Sequence, residues 1–294
     1  MVLKEKARDV AEVRNYWNAL LRVEEWAERK KTLSEELICK LHGILEKGLR
    51  ARPTTYRDGQ NVIRDSVGGA IIYMPPEAND VPVFMSEMVA WHNRAEKDNI
   101  PTPLIAALIH YQFVTIHPFY DGNGRTARLL ATFILHRGGY GLNGFLSLEE
   151  HHAKDLQSYY QALMVHPHHN YYMSRADADL TGWLEYFTGI LARVFTESKN
   201  EAVRLAKENV PAEPEELRLL DHRARIVLGL FATKEHITTT DVAAGLGLSP
   251  RMARELIREW VNQGWLIPNT TSRKNRQYVL SAIYRQFVGS LSAI

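Results

Sequence analysis

The 294-residue sequence predicts a mostly α-helical protein with one short extended insert and a small mixed domain at its C-terminal end. Three observations carry this. Apolar residues recur at helical spacing along most of the chain up to Lys207. The stretch from Arg50 to Pro76 turns instead to Gly, Thr, Asn and Pro with β-branched residues. A charged run with two prolines, Lys207 to Pro214, then precedes a segment in which helices and strands alternate. The expected bounds are a helical domain over 1–209, a linker over 210–216 and a C-terminal domain over 217–294.

Composition narrows the class. A hydrophobic share of 45% and an aromatic share of 10% are enough to bury a proper core. A formal net charge of +2 gives no global demand for nucleic acid or membrane. Cys39 stands alone, which excludes an internal disulfide and suits a reducing cytoplasm. Met1 to Val10 is charged rather than apolar, and no run approaches the roughly 18 uncharged residues of a membrane span. Neither a secretory signal nor a bilayer anchor is expected.

Glu5 to Glu28 reads as one amphipathic helix with Val10, Val13, Trp17, Leu20 and Leu21 on its apolar face. Thr32 and Glu35 have capping-box spacing for a second helix that runs through Leu37, Ile38, Leu41 and Leu45 to Gly48. Val81 to Arg94 is helical, with Val83, Phe84, Met88 and Trp91 inward. Thr102 to Thr115 reads as a buried helix with Thr102 as N-cap and Pro103 at its first position. Leu129, Leu130, Phe133 and Ile134 continue a further helix that stops at Gly138 and Gly139. Ser147 to Val165 is expected as one helix opened by Ser147, with Glu150 three residues later, and Leu180 to Val210 as another, with Trp183, Phe187, Ile190, Leu191 and Val194 inward.

The chemistry gathers in the loop between the two buried helices: Ile116-His117-Pro118-Phe119-Tyr120-Asp121-Gly122-Asn123-Gly124-Arg125-Thr126-Ala127-Arg128. The free N–H groups that open the second helix, together with its dipole, favour an anion there. Gly122 and Gly124 allow close backbone approach, and Arg125 and Arg128 offer forked donors for phosphate oxygens. Asp121 would repel a phosphate unless a cation lay between them, and Mg²⁺ is the natural one, held by one carboxylate and substrate phosphates. His117, with a reference pKa near about 6.5, is mostly neutral at cellular pH and suits a general base. Gly122-x-Gly124-x-x-Ala127 also fits a dinucleotide fingerprint, but a helix rather than a strand precedes it and no acid follows at the required distance. Capping and turn roles explain Asp121, Asn123 and Gly124 but leave His117, Arg125 and Arg128 without a purpose.

The run His-Pro-Phe-x-Asp-Gly-Asn-Gly-Arg-x-x-Arg resembles the signature of Fic-domain proteins, with every signature position filled. That resemblance implies a Fic-type helical core that transfers AMP from ATP, with Mg²⁺ as cofactor, to a Ser, Thr or Tyr hydroxyl of a target protein or of the chain itself. It implies His117 as base, Asp121 on the metal, and the run Asp121, Gly122, Asn123, Gly124, Arg125, Thr126, Ala127 and Arg128 around the nucleotide. Val67 to Pro76 resembles the family's flap, a β-hairpin that would pair with the target's backbone through Ala70, Ile71, Ile72 and Tyr73. Arg57, Gln60 and Asn61, just upstream, are placed to support the flap or to reach the nucleotide. Tyr159 in the pair Tyr159-Tyr160 resembles a tyrosine that family members place near the adenine. His166-Pro167-His168-His169-Asn170 departs from the Arg/Gly/Asp-rich turn of the family. These histidines, with His151 and His152, lack cysteine or carboxylate at zinc-ligand spacing, so structural or surface roles are expected. The family's inhibitory pattern Ser/Thr-x-x-x-Glu-Gly/Asn is missing from the sequence, so an uninhibited enzyme is expected. Rival readings are another phosphate donor, removal of AMP, or a nucleotide-sensing regulator that binds DNA.

The last segment looks like a winged helix-turn-helix. Thr240 to Gly245 supplies a helix, Leu246 to Ser249 the turn, Pro250 to Asn262 the second helix, and Trp265-Leu266-Ile267 and Gln277 to Leu280 the strands around a wing. Arg251, Arg254 and Arg258 recur at helical spacing, and Arg273, Lys274 and Arg276 cluster in the wing, although Glu255 and Glu259 interrupt the basic face. Partners left open for this domain are DNA, another protein and a second copy of the chain.

Overall fold

The computed structural model describes all residues except 1, 50, 65–68, 142–147, 175–177, 208–213, 270–275 and 289–294. The chain divides into two compact units, Met1–Lys207 and Glu208–Ile294.

The first unit is mostly helical. At its centre, α4 (Thr102–Ile116) packs against α5 (Asn123–Arg137), and α1 (Val2–Glu28), α2 (Glu35–Lys47), α3 (Val81–Lys97) and α9 (Thr181–Lys207) surround the pair. The centre is α4 and α5 because α4 and the 129–135 stretch of α5 are apolar on most faces. Ile105, Ala106, Ala107, Ile109, Phe113 and Ile116 are buried on α4, as are Ala127, Leu129, Leu130, Ala131, Phe133, Ile134 and Leu135 on α5. Trp183 of α9 is fully buried and donates its indole N–H to the Ala107 carbonyl at 2.8 Å. The extended insert gives a two-stranded antiparallel hairpin of β1 (Ile63–Arg64) and β2 (Ile71–Tyr73). The register jumps from Ile63↔Tyr73 to Arg64↔Ile71, so Ile72 is the bulged residue. Short helices α6 (Leu148–Lys154), α7 (Leu156–Leu163) and α8 (Tyr171–Ser174) complete the unit.

Several sequence expectations need correction. On α1, Val13 is 72% exposed and Trp17 is exposed too, while Asn15, Asn18, Ala19, Val23, Trp26 and Ala27 are buried. The face that packs on α2 and α5 is therefore rotated from the expected one and mixes amide and alanine side chains with Val23 and Trp26. Ser34, not Thr32, caps α2, its hydroxyl accepting from the Leu37 N–H at 3.2 Å. Pro101 is the N-cap of α4, so Thr102 already lies within the first turn. The expected single helix over 147–165 is two, because Asp155 leaves helical geometry and caps α7 by accepting from the Ser158 N–H at 2.9 Å. Ser147 itself lies outside the described residues, as do Val67 and Gly68 of the flap.

The second unit contains α10 (Glu215–Arg218), α11 (His222–Leu230), β3 (Ile237–Thr238), α12 (Thr239–Gly245), α13 (Pro250–Asn262), β4 (Leu266–Pro268), β5 (Gln277–Leu280) and α14 (Ala282–Arg285). Its three strands pair antiparallel in the order β3-β5-β4. The core is built on Trp260 and Trp265, both fully buried with ring centroids 5.3 Å apart. Thr238 and Asp241 form a capping box at α12, and Ser249 caps α13. Residues 210–213 of the expected linker and the wing residues Arg273 and Lys274 lie outside the described residues, while 215–216 are helical.

Candidate active site

The link between α4 and α5 starts on a strained residue. His117 ends α4 in the left-handed region, φ 53° and ψ 57°, a conformation costing about 1–2 kcal/mol for an L-residue with a Cβ. Its N–H closes the helix on the Phe113 carbonyl at 3.0 Å. The ring turns back so that Nδ1 lies 3.2 Å from the Val114 carbonyl. A carbonyl only accepts, so Nδ1 carries the proton and Nε2 keeps its lone pair. Burial lowers the ring's pKa to about 4; the Val114 hydrogen bond opposes this, the Arg57 cation adds to it and Asp121 opposes it.

The loop that follows is closed from inside. Asn123, buried at the start of α5, accepts the Phe119 N–H at 2.9 Å and donates to the Phe119 carbonyl at 2.8 Å. Phe119 stacks on the His42 ring, with centroids 3.7 Å apart and planes 8° from parallel. His42 in turn donates from Nε2 to the Asp121 carbonyl at 2.9 Å. Sequence reasoning missed His42, whose helical spacing on α2 reads as ordinary packing.

Gly122 is the N-cap of α5 at φ 74°, and no side chain caps that helix. Its first-turn N–H groups are thus left for an anion. Gly122 lies at φ 74° and a Cβ there would stand 2.7 Å from Glu46 Oε1, so this position favours glycine; at Gly124 a Cβ would meet only the flexible end of Arg128, 3.3 Å away. The Asp121 side chain is 70% exposed, with Oδ1 accepting the Gly122 N–H at 2.6 Å. Arg125 faces three carboxylates, Glu46 at 3.3 Å, Asp121 at 3.7 Å and Glu12 of α1 at 3.8 Å, beside a cavity of about 180 Å³. Arg128 lies with its guanidinium 5.9 Å from the centroid of the Tyr159 ring. Thr126 and Ala127 are fully buried, so only their main chain could approach a ligand.

Tyr159 is 2% exposed and belongs to a buried aromatic group with His110, His152 and Trp183. Its hydroxyl is 3.4 Å from His110 Nε2. Burial holds both histidines neutral, His152 with a pKa of about 3, and the nearby Arg128 cation pushes the same way. Of the hairpin residues, Ala70, Ile71 and Ile72 are exposed, whereas Tyr73 is half-buried and donates its hydroxyl proton to the Thr115 carbonyl at 3.2 Å. Met74, just beyond β2, bonds through its N–H to His169 and through its carbonyl to Tyr171, at 2.9 and 3.0 Å. The histidine turn therefore buttresses the hairpin, a contact the sequence did not signal. Among the described residues no group of three or more His, Cys, Asp or Glu side chains could hold a metal by itself.

Residues 32–135, which take in the central helix pair and the glycine-rich, arginine-flanked turn that joins it, match the family model described as the Fic/DOC family. Among curated proteins, the chain is 43% identical over 74 residues to a protein adenylyltransferase Fic of Drosophila mojavensis, and 47% identical over 75 residues to one of Culex quinquefasciatus. Each match takes in 25% of this chain and only 14% of the relative's length. Among solved structures, a Fic family protein from Desulfovibrio desulfuricans aligns over 94% of this chain and 76% of its own, with TM-score 0.53 and 24% identity, a likeness of fold. A Fic domain containing signaling protein from Bacteroides thetaiotaomicron aligns over 64% of this chain and 71% of its own, with TM-score 0.52 and 28% identity. Among the described residues no helix is long and apolar enough to cross a membrane.

Proposed function

We propose that the chain is a protein adenylyltransferase that moves AMP from ATP to a Ser, Thr or Tyr hydroxyl of a target protein and of itself. The observation that carries this reading is the tautomer of His117. Nδ1–H is spent on the Val114 carbonyl, so Nε2 is a neutral proton acceptor on a residue that lies in the turn leading to the N-terminus of α5, which no side chain caps. The relatives named protein adenylyltransferase support it over the matched segment.

In this reading the triphosphate lies over the first turn of α5. The N–H groups of Asn123, Gly124 and Arg125 and the forks of Arg125 and Arg128 bind its oxygens. Arg125 would exchange its contacts with Glu12 and Glu46 for phosphate. The acceptor strand adds to the hairpin at Ala70 to Tyr73, which brings its hydroxyl towards His117. The acceptor O–H gives its proton to Nε2 as its oxygen bonds to the α-phosphorus. The bond from that phosphorus to the bridging oxygen breaks, and pyrophosphate leaves. Alignment and neutralisation of charge supply most of the rate. The residues fit a Mg²⁺ ion held by one carboxylate: Asp121 is largely exposed, and Mg²⁺ sites of this kind need no protein cage. When bound, the ion would neutralise phosphate charge. Tyr159, 2% exposed and with the Arg128 guanidinium 5.9 Å from its ring centroid, would position that arginine from behind rather than meet the base.

The test is incubation with ATP labelled at the α- or the γ-phosphorus. Protein should take up the α-label only, and His117→Ala should lose at least about 10²-fold in rate. Label retained by the variant, or uptake of the γ-label, rejects the reading.

For the second unit, helix α11 followed by β3, α12, α13 and the sheet order β3-β5-β4 favours a winged helix-turn-helix. Its α13 exposes Arg251, Arg254 and Arg258, and Arg251 is 3.4 Å from Glu255. DNA is the partner this face fits. A salt-dependent gel shift lost on replacing Arg254 and Arg258 tests it.

A further inference from the structure

Arg57 is 3% exposed, yet its charge meets no carboxylate within ion-pair distance among the described residues. Its guanidinium is instead divided among three main-chain carbonyls. Nε–H donates to His117 at 3.0 Å, Nη1 donates to Gly59 at 3.0 Å, and Nη2 donates to Pro76. The Arg57 N–H adds a bond to the Pro118 carbonyl at 2.9 Å. Its neighbours repeat the pattern. Gln60 donates to the Pro75 carbonyl at 3.1 Å, Asn61 to the Tyr120 carbonyl at 3.4 Å, and Tyr120 donates its hydroxyl proton to Asp58 at 2.7 Å.

The three carbonyls belong to different parts of the site. His117 is the strained residue that carries the base, Pro76 ends the leg of the hairpin that leaves β2, and Gly59 lies on the leg that enters β1. Burying an uncompensated cation costs several kcal/mol unless its donors are well used, so this arrangement has a stated energetic burden. A planar fork with fixed donor directions can hold three carbonyls at once, whereas a lysine ammonium on a flexible stem cannot reproduce that geometry.

We propose that Arg57 is the positioning residue of the transfer: its fork fixes the hairpin's two legs to the His117 carbonyl and so sets where a docked hydroxyl lies relative to Nε2. The inference rests on the adenylyltransferase reading for its kinetic consequence, but not for the clamp itself.

The test uses the full chain with Arg57→Lys, which keeps the charge and removes the fork, and Arg57→Gln, which removes both. Steady-state rates, ATP affinity, melting temperature and hydrogen exchange are measured for each. Both variants should lose about 10²-fold in kcat, the usual result of misplacing reacting groups by about an ångström, with ATP affinity unchanged. Amides of Ile71, Ile72, Tyr73, Met74, His117, Phe119 and Tyr120 should exchange faster, while α4 and α9 keep their protection. An Arg57→Lys enzyme with wild-type kcat or wild-type hairpin exchange overturns the proposal. So does protection lost uniformly along the chain, which would mark a merely structural residue. A wild-type protein that transfers no AMP would remove the functional reading while leaving the exchange data to judge the clamp.

Discussion

Acidification separates a buried base from an ordinary imidazole. Burial, reinforced by the Arg57 cation, outweighs the Val114 hydrogen bond and Asp121 and brings His117 to a pKa of about 4. The base is competent when neutral, so activity should be flat from neutrality down to about pH 5 and fall as pH drops through about 4. At about pH 5.5 an imidazole of pKa about 6.5 would keep roughly a tenth of its neutral form, whereas one at about 4 would keep nearly all. The two cases differ about tenfold in rate. The assay is the initial rate of AMP transfer at constant ionic strength, with nucleotide affinity measured at each pH so that titration of the substrate is separated. A half-maximum near 6.5 would refute the buried-base argument. Stability should follow the same ring. The folded pKa lies below the unfolded one, so this group contributes nothing above about pH 6.5. Between about 6.5 and 4 the unfolded chain binds the proton first, so this ring's share of stability falls by about 1.4 kcal/mol per pH unit, a share that the His117→Ala protein should lack.

Asn123→Ala should cost about 2 kcal/mol or more, because it strands the buried N–H and carbonyl of Phe119; a melting curve unchanged from wild type would contradict that loop closure. Gly122→Ala forces a Cβ into the left-handed region and against Glu46 Oε1, so a loss of about 1–2 kcal/mol is expected, read as a lower midpoint in urea. Ile72→Asp changes an exposed, bulged hairpin residue, so the fold and ATP affinity should hold while the KM for protein acceptor rises; an unchanged acceptor KM would count against docking there.

The helical core was readable because α4 and the 129–135 stretch of α5 are apolar on most faces, which favours a central place. The glycine turn and His117 were readable because their residue types make little sense without an anion and a base. What stayed hidden depended on tertiary contacts. On α1, Asn15, Asn18 and Ala19 are buried where Val13 and Trp17 were expected, and a Cβ on Gly48 would stand 3.2 Å from Asn15 Oδ1, so close approach selects small and amide residues. The cap of α2 moved from Thr32 to Ser34 because both have capping hydroxyls and only backbone geometry chooses between them. Arg57 carried no periodic signal, since its three partners are carbonyls that any sequence supplies. The contacts of Arg125 with Glu12 and Glu46 join α5 to α1 and α2, which spacing within one helix cannot reveal.

Mass spectrometry of the intact protein and of a mixed protein pool after incubation with ATP and Mg²⁺ tests the central claim most directly. An added adenylyl group on a Ser, Thr or Tyr side chain is expected, formed with release of pyrophosphate and lost in the His117→Ala protein. An unmodified pool, or an added phosphate in place of AMP, would contradict it.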